Sequence, residues 1–426
     1  MSREHSHSKG CSLNRLGEFQ KCFLYAEKWR KWKMTVNEKI AKIRERMTEN
    51  HIDAVIVPSA DPHMSEYYSE HWKTRAWLSG FTGSAGSFVI TQSVAGLWTD
   101  GRYYVQAEKQ LSGSEGVLFK MNEPETPKIH EYLAKELPEN AVVGINGQLF
   151  SVAYVKEMQK AFKKKNIQID NQVDYANDLW EDRPAESATA VYNLPVKYAG
   201  KSAQQKIEEL RGKLEAAGAE AIFVNALDGI AWLYNIRAND VACTPVAVAY
   251  AYVSKENAIL FTNTARVDAD VLRVLSENGI TMRPYEDVFE YAANIKHQQV
   301  VLCDERELNF SLYHTLTNNS NLTLVEGDDP IKLMKAIKNE VETKNTYEAY
   351  LQDGIAEAEF YGWLFEALEK GETITEYQAS QKLYSFREQR ENFKGDSFTA
   401  ILAYRDNAAM MHYAPKAEGS AVIKPE

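Results

Sequence analysis

Two stretches of this 426-residue chain repeat one construction: residues 35–57, TVNEKIAKIRERMTENHIDAVIV, and residues 202–224, SAQQKIEELRGKLEAAGAEAIFV. Each begins with a capping box, in which a Ser or Thr and a Glu or Gln three residues later satisfy the free N–H groups of a helix start. Apolar residues then recur at helical spacing, and a short apolar run after them is typical of a buried strand. The register holds without a gap, so the sequence predicts a duplicated helix–strand unit.

The duplication continues beyond these strands. Asp61 and Asp228 follow in matching register, and after an insertion in the first copy Trp77 is matched by Trp232. A period this long excludes a solenoid repeat. We therefore predict two related α/β domains in tandem, each with helices packed on a mainly β-branched sheet. The expected strands are 54–57, 87–91, 95–99 and 142–145 in the first domain and 221–225, 246–253, 258–262 and 299–303 in the second.

Turn-rich clusters mark the expected domain boundaries. The stretches NDLWEDRPAE (177–186) and EGDDP (326–330) combine turn formers, charge and proline. The first 33 residues are basic and contain no apolar run that suits a signal peptide or a membrane span. We predict a disordered extension at 1–33, α/β domains at 34–177 and 178–329, and a third domain at 330–426.

The third segment has helical and then strand character. Between 331 and 392, apolar residues from Tyr347 to Phe365 keep the spacing of an amphipathic helix. The stretches SFTAILAY (397–404) and MMHYA (410–414) are predicted to be strands. A sheet of two strands exposes an edge and one face and cannot bury its helices alone. We therefore expect a domain that is cut short.

Composition restricts the partners of the protein. The net charge is −11 at pH 7, with 44 % hydrophobic and 26 % charged residues, which is typical of a soluble globular protein. The negative charge argues against nucleic acid or an anionic membrane as a partner. The cysteines form no CxxC pair or Cys/His knuckle, so the expected setting is a reducing cytoplasm without a disulfide framework. These cysteines are Cys11, Cys22, Cys243 and Cys303.

Local sequence patterns indicate a few side chains that are candidates for ligand binding or catalysis. Arg102 follows the turn residue Asp100 and is expected to open a strand, where it binds a carboxylate or stays solvated. Arg237 and Asp240 are predicted to form a structural ion pair that holds a loop. His412, taken alone, is more often a packed or surface histidine than a catalyst.

Sequence motifs for phosphate or metal binding are missing. The glycines of LSGFTGSAGSF (78–88) fit neither GxGxxG nor GxxxxGK[ST], and we expect them to let a turn pass close to neighbouring backbone. Neither HExxH nor an EF-hand loop occurs. Residues 393–426 cannot build a dinuclear site unaided, because their only acids and imidazole are Asp396, Asp406, Glu418, Glu426 and His412.

Seven stretches together resemble an Xaa-Pro aminopeptidase of the three-domain, cytosolic type, in the creatinase/prolidase pita-bread metallopeptidase family. They are VPSADPHMSEY, RAWLSGFTGSAGSFVIT, LWTDGRYYVQA, LWEDRP, LDGIAWLYNIRANDV, KAIKNEVE and MMHYAP. The resemblance implies an α/β fold of two tandem creatinase-N-like domains followed by the start of a pita-bread catalytic domain. It also implies a homodimer and a centre of two metal ions, usually manganese, whose shared hydroxide attacks the bond before a proline in second position.

The resemblance implies roles for two side chains. His412 matches the family's HY histidine, which contacts the peptide near the scissile bond and steadies the developing charge. Arg102 matches the arginine of TDGRY, which contacts the peptide. In the family the metal ligands follow the HYAP strand, so we expect every ligand to be absent here, and neither Asp396 nor Asp406 replaces one. The expectation is a chain truncated within the catalytic domain and inactive alone.

Two further interpretations stay open. One is a creatinase- or prolidase-type hydrolase acting on other C–N bonds, although smaller relatives carry a single domain before the catalytic one. The other is a non-catalytic pita-bread relative that binds peptides or proteins, although the full run of motifs and the lack of long acidic tails weigh against it. The expected partners are proline-containing peptides, without nucleic acid or membrane.

Overall fold

Two six-stranded sheets dominate the computed structural model, which describes residues 34–425. Of residues 177 and 178 it describes only the backbone. The extension at 1–33, which we predicted to be disordered, lies outside the described residues together with Cys11 and Cys22. No helix in the described range is both long and apolar enough to cross a membrane.

The first sheet is built from the first copy of the duplication. Its strands are β1 Ala54–Pro58, β2 Ser87–Thr91, β3 Ala95–Thr99, β4 Gly116–Lys120, β5 Val142–Ile145 and β6 Gln168–Asp170, and its helices are Val36–Glu49, Thr74–Ser79, Tyr104–Leu111, Ile129–Glu136, Val152–Phe162 and Tyr175–Leu179. The strand order is β4-β3-β2-β1-β5-β6. The first helix starts at the predicted capping box of Thr35 and Glu38 and buries Ile40, Ile43 and Met47 against the sheet.

The second sheet repeats this topology. Its segment contains β7 Tyr192–Asn193, β8 Ala221–Val224, β9 Ile236–Arg237, β10 Ala249–Ser254, β11 Ala258–Thr262, β12 Thr281–Arg283, β13 Gln299–Cys303 and β14 Leu322–Glu326, with helices Val196–Ala199, Ala203–Ala216, Leu227–Leu233, Ala269–Glu277, Asp287–Ala293 and Phe310–Thr317. The order β12-β11-β10-β8-β13-β14 is that of the first sheet, with β8 in the place of β1. Both central strands pair antiparallel on one side and parallel on the other, which confirms the predicted duplication.

Side chains in matching register also make the same contacts. Arg44 donates from Nε to the carbonyl of Thr91 at 2.8 Å, and Arg211 donates from Nε to the carbonyl of Ser254 at 2.9 Å. In both copies a helix arginine therefore satisfies a backbone acceptor at the end of a strand. A repeat at this level is expected of two copies of one domain.

The predicted ion pair between Arg237 and Asp240 is not formed, because each residue has a different partner. Asp240 is buried and pairs with Arg266, whereas Arg237 donates to the carbonyl of Ala231 at 2.6 Å. Ala231 lies in the last turn of the helix Leu227–Leu233, where unsatisfied carbonyls attract a cation. The structural role predicted for Asp240 is confirmed, since it holds a loop through a buried ion pair.

The third segment is helical, as predicted, but its strands are not where the sequence placed them. It contains helices Pro330–Ala336, Glu340–Glu369 and Glu376–Glu388, with β15 Ile374–Thr375 paired antiparallel to β16 Val422–Ile423. The strands predicted at 397–404 and 410–414 are wrong: these residues are largely irregular, with a 3-10 helix between the two stretches. An apolar run becomes a strand only where a neighbouring strand accepts its hydrogen bonds, and the described residues provide none at these positions.

The helix Glu340–Glu369 buries a different face from the one its apolar spacing marks. Tyr347 is 77 % exposed and Phe365 is 62 % exposed. The residues that it buries include Phe360 and Ala367, which pack in a small cluster with the helix Glu376–Glu388.

Candidate functional site

Arg102 lies in a turn after β3 and not at the start of a strand, so the prediction that it opens one is wrong. The Asp100 side chain accepts from the backbone N–H of Arg102 at 3.1 Å, and the Asp100 carbonyl accepts from Tyr103 at 3.0 Å. An aspartate that bonds the backbone two residues on closes a tight turn. The chain then enters the helix Tyr104–Leu111 and leaves Arg102 at the end of the sheet.

The guanidinium of Arg102 is held by Asp100 in a two-point contact. Nε donates to Oδ1 and Nη2 donates to Oδ2, both at 2.8 Å, which is the paired geometry of a strong charge-assisted contact. These hydrogen bonds lower the pKa of the Asp100 carboxyl and raise the pKa of Arg102. The arginine is therefore fixed as a cation, and its side chain remains 41 % exposed to an incoming ligand.

His412 meets Arg102, although the two residues are 310 positions apart in the chain. Arg102 Nη1 lies 3.1 Å from His412 Nε2. Because a guanidinium can only donate, Nε2 must accept, which places the imidazole proton on Nδ1 and leaves the ring neutral in this arrangement. The ring also stacks on Tyr103, with centroids 5.6 Å apart and planes 13° apart.

Both predicted site residues are thus brought together, with two partners that sequence reasoning missed. Asp100 orients Arg102, and Tyr103 provides the surface on which His412 lies. Their signal was present in the stretch TDGRY, where an acidic residue and an aromatic residue flank the arginine. Local sequence does not show that a histidine from a distant segment would lie on that aromatic ring.

The buried Arg75 holds the loop that packs against the Tyr103 ring. Arg75 is 2 % exposed and donates to the carbonyls of Phe81 and Gly83, while its Nε donates to Ser59 Oγ at 2.9 Å. The loop that it holds approaches the Tyr103 ring so closely that a Cβ on Gly83 would lie 2.8 Å from that ring. The prediction that these glycines let a turn pass close to neighbouring backbone is confirmed at Gly86, where a Cβ would lie 2.8 Å from the Trp98 carbonyl oxygen.

Replacing Gly83 by alanine is expected to lower the free energy of unfolding by about 1–3 kcal/mol, the usual cost of overpacking a full core. The added Cβ would also lie 2.3 Å from the ring of Phe81, so both aromatic rings must move. Urea unfolding of the two proteins measures the difference. Gly101→Ala is the matched control, because its Cβ would meet only Tyr104, at 3.8 Å or more. Equal losses in the two variants would contradict the steric argument.

The described residues do not fit a metal centre. Within residues 34–425 there is no group of three or more His, Cys, Asp or Glu side chains that could hold an ion. A structural or catalytic site needs such a cluster of oxygen, nitrogen or sulfur ligands.

Known proteins resemble the chain along most of its length. Residues 39–176 and 182–342 each match the Creatinase/Prolidase N-terminal domain family. The probable Xaa-Pro aminopeptidase P of Laccaria bicolor is 37 % identical over 406 residues, which cover 92 % of this chain and 62 % of that protein. Aminopeptidase P1 of Arabidopsis thaliana is 33 % identical, with coverage of 92 % and 67 %.

A solved structure shares the fold. It is the X-prolyl aminopeptidase of Caenorhabditis elegans, described as a cytosolic enzyme with a di-nuclear active site. The TM-score is 0.84 at 28 % identity, covering 92 % of this chain and 66 % of the other. The chain thus spans less than two thirds of the length of the Laccaria protein and of this nematode enzyme.

Proposed function

This chain belongs to the Xaa-Pro aminopeptidase (aminopeptidase P) family, within the creatinase/prolidase group, and we propose that it binds peptides with proline in second position at Arg102 and His412. The observation that carries the proposal is the 3.1 Å contact between these two side chains, which come from different parts of the fold. Both are accessible to a ligand, and the family names attached to the relatives favour a peptide as that ligand.

The geometry supports a separate part in peptide binding for each side chain. Asp100 accepts from Nε and Nη2 of the Arg102 guanidinium and His412 accepts from Nη1, and the second N–H groups of Nη1 and Nη2 have no acceptor among the described residues. These N–H groups are suited to peptide carbonyl oxygens. His412 keeps its proton on Nδ1, from which it donates to a second carbonyl and favours charge developing on that oxygen.

The remaining assignments rest on the resemblance. We propose hydrolysis of the bond before that proline, with two manganese ions as the metals of the family reaction, a homodimer and a cytoplasmic location. The di-nuclear centre and the cytosolic setting are described for the nematode enzyme, and the described residues here supply no ligand set. We also propose domains at 34–177 and 178–329 and a catalytic segment at 330–426, which the two sheets support.

Peptide binding tests the site. Titration calorimetry of the chain with Arg-Pro-Pro should show binding, and Arg102→Ala should weaken it by roughly 10- to 100-fold, because a hydrogen bond from a charged group contributes about 1.5–3 kcal/mol. Arg273→Ala is the matched control, since Arg273 is an exposed arginine that pairs with Glu277 on its own helix. Equal affinities of the Arg102 variant and the control would refute the site.

Turnover tests the assignment of the chemistry. With Mn²⁺ and Arg-Pro-Pro, the isolated 426-residue chain is expected to release no arginine, because its described residues lack a metal-binding cluster. Amino-acid analysis of the mixture over time measures this. Release of arginine above the rate without protein would show that the ligand set lies within this chain.

A further inference from the structure

Glu376 is a carboxylate with no exposed surface, whereas residues 404–421, which it contacts, are all half-buried or exposed. It is the first residue of the helix Glu376–Glu388. Its oxygens accept from the backbone N–H of Tyr404 at 2.6 Å, from Asn407 Nδ2 at 3.0 Å, from the Tyr413 hydroxyl at 2.5 Å and from the backbone N–H of Ala421 at 3.0 Å. One side chain therefore satisfies four polar groups from a single stretch of chain.

That stretch, residues 404–421, carries His412. Its regular structure within the described residues is the 3-10 helix Arg405–Ala409, so few backbone hydrogen bonds fix its path. Tyr413, which donates to Glu376, is the neighbour of His412, and Asn407 also donates to the Tyr413 hydroxyl at 3.2 Å. The Glu376 carboxylate is thus the common hydrogen-bond acceptor of residues 404–421, the segment that carries His412.

Helix capping does not explain this carboxylate. Thr375 already caps the helix: its Oγ1 accepts from the N–H of Gln378 at 3.2 Å, and the Gln378 side chain accepts from the Thr375 N–H. A capping box of this kind satisfies the helix start by itself. The bonds made by Glu376 all point away from its own helix, toward the segment that carries His412.

We propose that Glu376 is a positioning residue, which sets the place of His412 against Arg102 and Tyr103. Without the carboxylate, four partly buried donors of the 404–421 segment lose their acceptor, and a donor shielded from water without a partner destabilises the arrangement that shields it. The segment relieves that cost by moving its donors toward water, and His412 moves with them. The consequence for peptide binding rests on the proposed function, but the displacement of His412 does not.

The ionisation of Glu376 agrees with this role. Burial by itself raises the pKa of the carboxyl, but the hydrogen bonds from Tyr413, Asn407 and two backbone N–H groups outweigh burial and leave the pKa lowered. The group is therefore charged at neutral pH. Its contribution is complete above the ordinary pKa of a glutamate, about 4.3, and is lost as the pH falls through the lowered value.

Nuclear magnetic resonance of the chain with labelled histidine tests the proposal. The His412 signal is identified by its disappearance in His412→Asn, and nuclear Overhauser contacts to Tyr103 report its place. We expect Glu376→Gln to remove these contacts and Tyr413→Phe, a milder change, to weaken them. Glu388→Gln, at the exposed end of the same helix, should leave them intact. Unchanged signals from the histidines of the two sheets show that the variants remain folded.

Two outcomes separate the inference from the proposed function. Contacts between His412 and Tyr103 that persist in folded Glu376→Gln and in Tyr413→Phe would overturn the inference. If the contacts disappear as expected while Arg102→Ala binds Arg-Pro-Pro as tightly as the wild type, the inference stands and the proposed function fails. Restoration of the contacts in Glu376→Asp, which keeps the charge one methylene shorter, supports a need for the carboxylate rather than for the helix.

Discussion

Replacing Asp240 by alanine is expected to lower the free energy of unfolding of the second sheet by about 3–5 kcal/mol, the cost of leaving one partner of a buried ion pair alone. Asp240 is 4 % exposed and pairs with Arg266, which is also buried. It further accepts from the Thr189 N–H at 3.0 Å and the Val248 N–H at 2.7 Å. The substitution therefore removes the carboxylate acceptor of the Arg266 guanidinium and of two backbone N–H groups at the same time.

Urea unfolding followed by circular dichroism measures this effect. The matched control is Asp270→Ala, because the Asp270 side chain is 90 % exposed and faces Arg273 only at 3.9 Å. A screened surface pair of this kind contributes about 1 kcal/mol or less. If both aspartate variants lose less than that, the argument that the Asp240 pair holds the second sheet is wrong.

Replacing His63 by alanine is expected to lower the free energy of unfolding by about 2–4 kcal/mol, through a cavity and two lost hydrogen bonds. His63 follows β1 of the first sheet but is 2 % exposed among residues of the second. Its Nδ1 bonds the carbonyl of Asn225 at 2.8 Å, its Nε2 bonds the Tyr285 hydroxyl at 2.9 Å, and its ring lies 4.6 Å from that of Tyr250. The histidine therefore connects the two sheets.

The same histidine predicts a pH dependence of stability. Burial lowers the pKa of His63 from its ordinary value of 6.5, and the nearby charge of Asp61 offsets only part of that effect. The unfolded chain therefore binds a proton at a pH where the folded chain does not. The contribution of His63 to the free energy of unfolding is fully present above pH 6.5. Below that pH the free energy of unfolding falls by up to about 1.4 kcal/mol per pH unit until the lowered pKa is reached.

Unfolding curves between pH 5 and pH 8 test this dependence. The difference between the wild type and His63→Gln should grow smaller on acidification, since the variant has no group to titrate there. His297→Gln, at an exposed histidine, should follow the wild type throughout. A constant difference between the wild type and His63→Gln would show that His63 titrates alike in the folded and unfolded chain.

The parts of the fold that the sequence predicts well are those with local signals. The capping box at Thr35, the buried face of the first helix and the central strands β1 and β8 all follow from residues a few positions apart. The edge strands β4, β6, β12 and β14 were missed, because none of their side chains is fully buried and none of their apolar runs exceeds three residues. A strand at an edge depends on its neighbour for hydrogen bonds more than on its own composition.

The sequence likewise predicted only part of the candidate site. The motif resemblance nominated Arg102 and His412 individually. Their meeting, and the hold of Glu376 on the histidine segment, required the tertiary structure. Asp240 shows the limit of local reasoning: an arginine three residues away was the expected partner, and one 26 residues away is the actual one.

Sequence alone determined the duplication, the central strands and the family of this protein, because helical periodicity, capping and motif order are properties of neighbouring residues. Tertiary structure alone decided which charges pair and which side chains share the site. Such pairings depend on desolvation and on distances between segments far apart in the chain, and neither quantity is encoded in local spacing.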